Sequence, residues 1–494
     1  MTCGQLCDKI GRRYMVILST VIAIIASSIE TSGLYHNLPG RILAGMSIGL
    51  SCLSIPIYLA ENTVVSIRGP IIMLNMAALT LGQLLSGIAA ASFFYLKNKG
   101  WRFLSGIIIL PSSLQLVAFF FLPESTCFLA KKGQLAKAQK VMNLLWKELP
   151  EKEFELMISD QNENKEYKQK SSFQIFMCIL QTPPVRRALL LGCSLHIINQ
   201  MSGINIIIFY SGMVVKMAGV YDDTVTIWLS TIPTLINFLG TFVGFYLVER
   251  IGRRLLLLTS TAGVIVSLIM VSLAFWQIEV QSPVVSFVEP NANFTPCGMY
   301  RTCAKCVLDP LCGFCYQEHP ILGPVNGSCL PALKMTNSYS KLGRCNSTFL
   351  GDHSPFHLKW QSDFCPSNFA YFIMAGQILY LLFFASGLGS LPWTICSEIY
   401  PMWARGISNS ISSSIMWLFS WLMTGTFLTL IQCLTTYGTF LLMACVTLIG
   451  WVFWFLCLPE TKGKSLEEAE LLFTKPFFKK IKLKTEKNEE PVFI

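Results

Sequence analysis

Apolar residues in this chain gather into ten long blocks, at roughly 14–34, 40–60, 71–94, 103–122, 187–212, 225–248, 255–277, 368–393, 407–431 and 435–457. Each block reaches the length of about 20 residues that a helix needs to cross a ~30 Å hydrocarbon core. Gly, Pro and Ser interrupt the blocks. In a soluble core such breaks are damaging, whereas in a membrane bundle they let helices approach closely and open where a cavity needs free backbone groups. The pattern predicts an all-α membrane protein with ten spans.

The polar residues between the blocks repeat. Asp8-Lys9-Ile10-Gly11-Arg12-Arg13 returns as Glu249-Arg250-Ile251-Gly252-Arg253-Arg254, and Glu61 with Arg68-Gly69 returns as Glu398 with Arg405-Gly406. Pro123-Glu124-Ser125 returns as Pro459-Glu460-Thr461. Asp8 lies 53 residues before Glu61 but Glu249 lies 149 before Glu398, so the second copy carries an insertion of about 96 residues. Two homologous halves built on apolar segments are the mark of a transporter made by duplication. Repeat symmetry also places two spans ahead of Asp8, so the sequence reads as N-terminally truncated.

Charged residues make up 13% of the chain, against roughly 25% in soluble domains. The net charge of +10 does not indicate nucleic acid, because the lysines and arginines sit in alternate loops, as the positive-inside rule predicts. Those loops are assigned to the cytoplasm, and the lipid bilayer is the expected surrounding. The insertion falls on the opposite side. It holds Cys297, Cys303, Cys306, Cys312, Cys315, Cys329, Cys345 and Cys365, with glycosylation sequons at Asn293, Asn326 and Asn346. Even cysteine number, dense spacing and sequons predict an extracellular disulfide framework whose pairing stays open. The alternative of a zinc site is weakened by the five-residue gap between the two CxxC units, since roughly 15–20 is usual. The string CAKCVLDPLCGFC resembles the start of a plexin-semaphorin-integrin cystine-rich module.

The expected layout is an N-terminal transmembrane half at 1–122 lacking its first one to two spans, then cytoplasmic linker helices at 123–186. The C-terminal half follows in two parts, 187–277 and 368–458, around the extracellular insertion at 278–367, and a cytoplasmic tail closes the chain at 459–494. No nucleophile, metal or phosphate-loop constellation accompanies the spans, so no enzyme, metal or cofactor is expected; of the five histidines only His196 falls in a span.

Six strings, GQLCDKIGRR, LVERIGRR, PESTCFL, NQMSGIN, GLGSLPWTICSEIYPMWARG and LPETKGKSLEE, resemble the sugar porters of the major facilitator superfamily over Gly4 to about Phe473. The cystine-rich insertion and PWTICSEIYPMWARG look most like the proton myo-inositol cotransporter branch of animals. This resemblance implies a twelve-span bundle of two pseudo-symmetric halves, of which about ten spans are present. It also implies secondary transport of myo-inositol or a related polyol or hexose across the plasma membrane, with protons.

Acids at fixed offsets from arginines suggest ion-pair networks at helix ends, for which the planar guanidinium fork is suited. The resemblance implies that Asp8, Arg12, Arg13, Glu61, Arg68, Glu249, Arg253, Arg254, Glu398 and Arg405 form a cytoplasmic gate, joined by Glu124 and Glu460. A polyol carries no charge and many hydroxyls, so its site needs amides, which donate and accept, and an aromatic face. Gln83, Asn199, Gln200, Asn205 and Asn237 lie inside apolar blocks and match the family's sugar-contacting amides, with Tyr210 supplying a hydroxyl and Trp393 and Trp417 the aromatic face. Phe209, Met416 and Met76 stand where the family usually has polar residues, which shifts the expected substrate preference. Arg41 matches the arginine that pairs with a first-span aspartate in symporting members and is the proton-coupling candidate. Two further readings compete: an uncoupled hexose facilitator, and a non-transporting membrane protein whose cystine-rich ectodomain binds an extracellular partner.

Overall fold

The computed structural model describes residues 7, 9–33, 38–63, 68–96, 99–145, 172–217, 222–287, 289, 296–309, 311–319, 323–333, 339–346, 358–362, 365–366, 369–462 and 472–473. The side chains of Arg68 and Glu249 fall outside this description, as do Asp8 and Asn293 altogether. Most of the expected charged linker helices lie outside it too, at 146–171.

The first half is built from α1 (Arg12–Ser32), α2 (Leu38–Glu61), α3 (Arg68–Phe94), and α4 (Gly100–Gly106) with α5 (Ile109–Phe121), followed by the short linker helices α6 (Thr126–Lys131), α7 (Leu135–Leu145) and α8 (Ser172–Gln181). The second half begins with α9 (Pro183–Met201), α10 (Ile204–Phe209) and α11 (Ser211–Met217). It continues through α12 (Asp223–Ile251) and α13 (Arg253–Val280). After the insertion, which contains α14 (Cys303–Leu308), come α15 (Ala370–Phe383), α16 (Leu391–Ile399) and α17 (Met402–Cys457).

Nine helices among the described residues are long and apolar enough to cross a membrane. The last of them runs 55 residues, Trp403–Cys457, which at 1.5 Å per residue is about 80 Å and far more than one crossing of a ~30 Å core. Thr435 breaks it with φ 68° and ψ 169°, so it is two spans, and the ten expected from the apolar blocks are all present.

Large apolar side chains on the outside of the helices agree with a lipid surrounding. On α5, Leu110, Leu114 and Phe121 are 76%, 72% and 85% exposed. In water, apolar area costs about 25 cal/mol per Å², whereas lipid tails solvate it. Inside the second half, Leu191, Leu195, Ile206, Leu268, Tyr380, Phe440 and Trp454 share one buried core. The halves meet along α3 and α12. There Trp228 Nε1 donates to Tyr95 OH at 3.2 Å, Asn237 Nδ2 to Gln83 Oε1 at 2.9 Å, and Thr80 and Thr241 hydroxyls lie 3.4 Å apart.

Two helices are broken where the sequence has small residues. After Met201 the chain turns at Gly203, whose φ of 89° suits glycine. Between α15 and α16, residues Phe384–Leu388 form a π-helical turn, a rare geometry that recurs at functional positions. The insertion folds as a three-stranded antiparallel sheet in the order β2-β1-β3, with β1 Cys312–His319, β2 Gly323–Pro331 and β3 Leu358–Gln361. All eight of its cysteines are paired: Cys297–Cys312, Cys303–Cys365, Cys306–Cys329 and Cys315–Cys345. The two members of each CxxC unit take different partners, which sets aside the zinc alternative. Asn326 is exposed at a left-handed φ of 53° and Asn346 is half-buried.

Candidate functional site

At the ends of the spans, the repeated charges form the same network twice. In the first half Arg12 Nη2 meets Glu61 Oε1 at 3.0 Å and Arg12 Nε meets the same oxygen at 3.2 Å. In the second, Arg253 Nε meets Glu398 Oε1 at 3.3 Å. The other oxygen of each acid accepts from a hydroxyl, Ser125 Oγ for Glu61 and Thr461 Oγ1 for Glu398. The neighbouring arginines reach helix-end carbonyls: Arg13 donates to Phe119 O at 2.9 Å and Phe120 O at 2.7 Å, and Arg254 to Phe455 O at 2.8 Å. Arg405 donates to Tyr400 O at 3.3 and 3.2 Å. Every one of these bonds joins groups of the same half.

The linker acids cap the helices. Glu124 Oε1 accepts from the backbone N–H groups of Arg12 (2.9 Å), Arg13 (3.0 Å) and Ser125 (2.9 Å). Glu460 Oε1 accepts from Arg253 (3.0 Å), Thr461 (3.1 Å) and Lys462 (3.0 Å), and its Oε2 from Arg254 (3.0 Å). A carboxylate on the first N–H groups of a helix satisfies donors that have no partner inside the helix, at the positive end of the helix dipole. Glycine precedes each Arg-Arg pair for a reason: Gly11 and Gly252 have φ of 110° and 95°, and a Cβ there would stand 2.5 Å from Glu124 Oε2 and 3.1 Å from Glu460 Oε2.

Within the spans the amides are joined. Asn205 Nδ2 donates to Gln200 Oε1 at 2.7 Å and to Ser420 Oγ at 2.6 Å. Gln200 Nε2 donates to Asn199 Oδ1 at 2.9 Å, and Asn199 Nδ2 to Leu388 O at 2.7 Å. Tyr210 OH donates to Thr424 O at 3.1 Å, and its ring packs on Phe427 at 4.8 Å. Trp393 meets the edge of the buried His196 ring at 4.9 Å. Gln83 and Asn237 form the bridge between the halves. Trp417 is 43% exposed and makes none of these contacts. Phe209 is 65% exposed while Met416 is buried. Arg41 is exposed at the start of α2, with no ion pair among the described residues.

Sequence reasoning missed several polar residues. Ser420 and Thr424 complete the amide row from α17, and Ser260 on α13 accepts from Leu388 N–H at 2.9 Å. Ser420 sits three residues after Trp417, on the same helix face, and that spacing is a usable signal. Gln377 on α15 is 1% exposed, and both its amide atoms are buried without a hydrogen-bond partner. A glutamine inside an apolar block is visible in the sequence, but only burial sets it apart.

Two duplicated halves, matched Arg–Glu networks at the span ends and a row of uncharged amides within the spans define a multi-pass secondary transporter of the major facilitator type. The profile described as "Sugar (and other) transporter" matches residues 1–295 and 345–473, passing over most of the cystine-rich insertion. The chain belongs to this sugar transporter family.

Similar proteins include the proton myo-inositol cotransporter of Homo sapiens, 38% identical over 476 residues that cover 95% of this chain and 73% of that protein. Proton myo-inositol cotransporter hmit-1.1 of Caenorhabditis elegans is 32% identical over 488 residues, covering 95% and 80%. Probable inositol transporter 2 of Arabidopsis thaliana is 30% identical over 481 residues, covering 94% and 80%. Among solved structures, the major facilitator superfamily proton:xylose symporter XylE bound to 6-bromo-6-deoxy-D-glucose superposes with a TM-score of 0.67 at 18% identity. The match covers 95% of this chain and 85% of that one, a likeness of fold.

Proposed function

We propose that this protein moves myo-inositol or a related polyol or hexose across the plasma membrane by alternating access, in symport with protons. The observation that carries the reading is the row of uncharged amides and hydroxyls, Gln200, Asn205 and Ser420, together with the Gln83–Asn237 bridge between the halves. Amides donate and accept in equal measure, which suits a neutral polyhydroxylated ligand. Trp393 supplies an aromatic face for the ring's C–H surface. The names of the relatives in animals and plants point to the same substrate. The Arg–Glu networks act as the cytoplasmic gate, in two arrangements that the substrate biases. This is transport and not enzymatic catalysis.

The second reading is an uncoupled facilitator. A third role, for the ectodomain, has its surface in Met299, Leu308 and Leu311, which are exposed and available to an extracellular partner. Uptake of labelled myo-inositol into cells expressing the full-length protein tests the first reading. Inward current or acidification on adding myo-inositol supports symport, and uptake indifferent to external pH supports the facilitator. Uptake that survives deletion of 290–350 keeps the ectodomain out of the transport step.

A further inference from the structure

Asn199 matches a sugar-contacting position of the family, yet both ends of its amide are engaged by the protein. Its Oδ1 accepts from Gln200 Nε2 at 2.9 Å and its Nδ2 donates to Leu388 O at 2.7 Å. Leu388 closes the π-helical turn Phe384–Leu388. On the other side of that residue, its N–H donates to Ser260 Oγ at 2.9 Å. The turn is therefore held from two helices, by Asn199 on α9 and by Ser260 on α13. Asn199 is 5% exposed, Ser260 2% and Leu388 0%, so no lipid or bulk water competes for these bonds.

The clamp matters because of the helix it holds. Helix α16 starts at Leu391, just past the turn, and spans nine residues. It carries Trp393 near its first turn and Glu398 near its last, and Glu398 is the acid that holds Arg253 at 3.3 Å. One short helix thus joins the substrate level to the gate. Upstream, the hydrogen-bond row continues from Asn199 through Gln200 and Asn205 to Ser420 on α17.

We propose that Asn199 is a positioning residue that latches the π-helical turn to the amide row, so that substrate binding at Gln200 releases α16 and its gate acid. The inference rests on the transport reading. A polyol hydroxyl that bonds to Gln200 competes with the Gln200–Asn199 bond and leaves Asn199 free to turn away from Leu388 O. Such a ligand binds the released arrangement better than the latched one, and only a differential of this kind shifts a two-state element.

The test is amide hydrogen exchange over residues 388–399 in the purified full-length protein, with and without saturating myo-inositol, in wild type, Asn199→Leu and Ser260→Ala. Losing one buried hydrogen bond raises local opening by roughly five- to tenfold. Without ligand, both variants are expected to exchange faster than wild type by about that factor. Myo-inositol speeds exchange in wild type and adds nothing in Asn199→Leu. Ser260→Ala, away from the amide row, is expected to bind myo-inositol more tightly than wild type, by up to that factor, because the released arrangement is more populated. Unchanged ligand-free exchange in Ser260→Ala overturns the latch, as does an Asn199→Leu protein that still responds fully to ligand. If Asn199→Leu does not fold, the exchange of Ser260→Ala alone decides between latch and no latch. Wild type that neither binds nor takes up myo-inositol, while both variants still open faster, refutes the substrate and leaves the latch standing.

Discussion

The two capping glutamates look equivalent in sequence, but their geometry predicts unequal responses to the same substitution. Glu124 takes its three backbone N–H groups on Oε1 alone, at 2.9, 3.0 and 2.9 Å, and its Oε2 is buried without a partner. Glutamine at 124 can therefore keep its carbonyl oxygen on all three donors and place its NH₂ where Oε2 stands. The charge is lost, and one unpartnered buried group, the acceptor Oε2, is exchanged for another, so no hydrogen bond is given up. Charge-assisted bonds are about twice as strong as neutral ones, and for a half-buried cap the sum comes to about 1 kcal/mol. Glu460 uses both oxygens, three donors on Oε1 and Arg254 N–H on Oε2 at 3.0 Å. Glutamine there must set its NH₂ against the N–H of Arg254, or turn over and face three donors with it. An unsatisfied buried donor adds about 1–3 kcal/mol, so Glu460→Gln is expected to cost roughly 2–4 kcal/mol. Thermal unfolding of the purified full-length protein in detergent, followed by loss of the monodisperse peak, measures the two variants side by side. The midpoint of Glu460→Gln should fall clearly below that of Glu124→Gln, and the double variant should show the sum, because the sites lie in separate halves. Equal midpoints, or a larger drop for Glu124→Gln, would refute the reasoning.

Other outcomes are set by the same geometry. Gly11→Ala and Gly252→Ala each force a side chain onto a left-handed φ, at about 1–2 kcal/mol; the tighter 2.5 Å approach to Glu124 Oε2 makes Gly11→Ala the more damaging by the same thermal assay. Asn237→Ala leaves Gln83 without its 2.9 Å partner across the halves and should raise the KM of uptake by roughly tenfold, the equivalent of about 1.4 kcal/mol. Replacing Cys315 and Cys345 by serine opens a loop of 30 residues, worth about 3–4 kcal/mol of ectodomain stability. Protease should then cut the insertion readily while uptake stays near the wild-type level.

Much of the architecture was legible in the chain because hydrophobic burial in lipid is a one-dimensional signal. A block of about 20 apolar residues has no other stable use, so ten spans could be counted even where one helix, Met402–Cys457, reads as continuous. The duplicated charges were legible for a similar reason: Arg12 and Glu61 and their counterparts Arg253 and Glu398 sit at span ends, where ions are scarce and their spacing stands out. The amides Gln83, Asn199, Gln200, Asn205 and Asn237 were visible as exceptions inside apolar blocks. Their division of labour was not. Which amide faces substrate and which braces backbone depends on contacts between helices hundreds of residues apart, and Asn199 to Leu388 is one such contact.

Sequence alone determined the membrane class, the twofold repeat and the position of the cystine-rich insertion, since each follows from composition or spacing along the chain. Only the tertiary structure decided the four disulfide pairings, the confinement of the seen Arg–Glu contacts within each half, the one-oxygen cap of Glu124 against the two-oxygen cap of Glu460, and the clamp on the π-helical turn. These depend on where side chains meet after packing. A hydrogen bond is made or lost within a few tenths of an ångström, a distance that no linear pattern encodes.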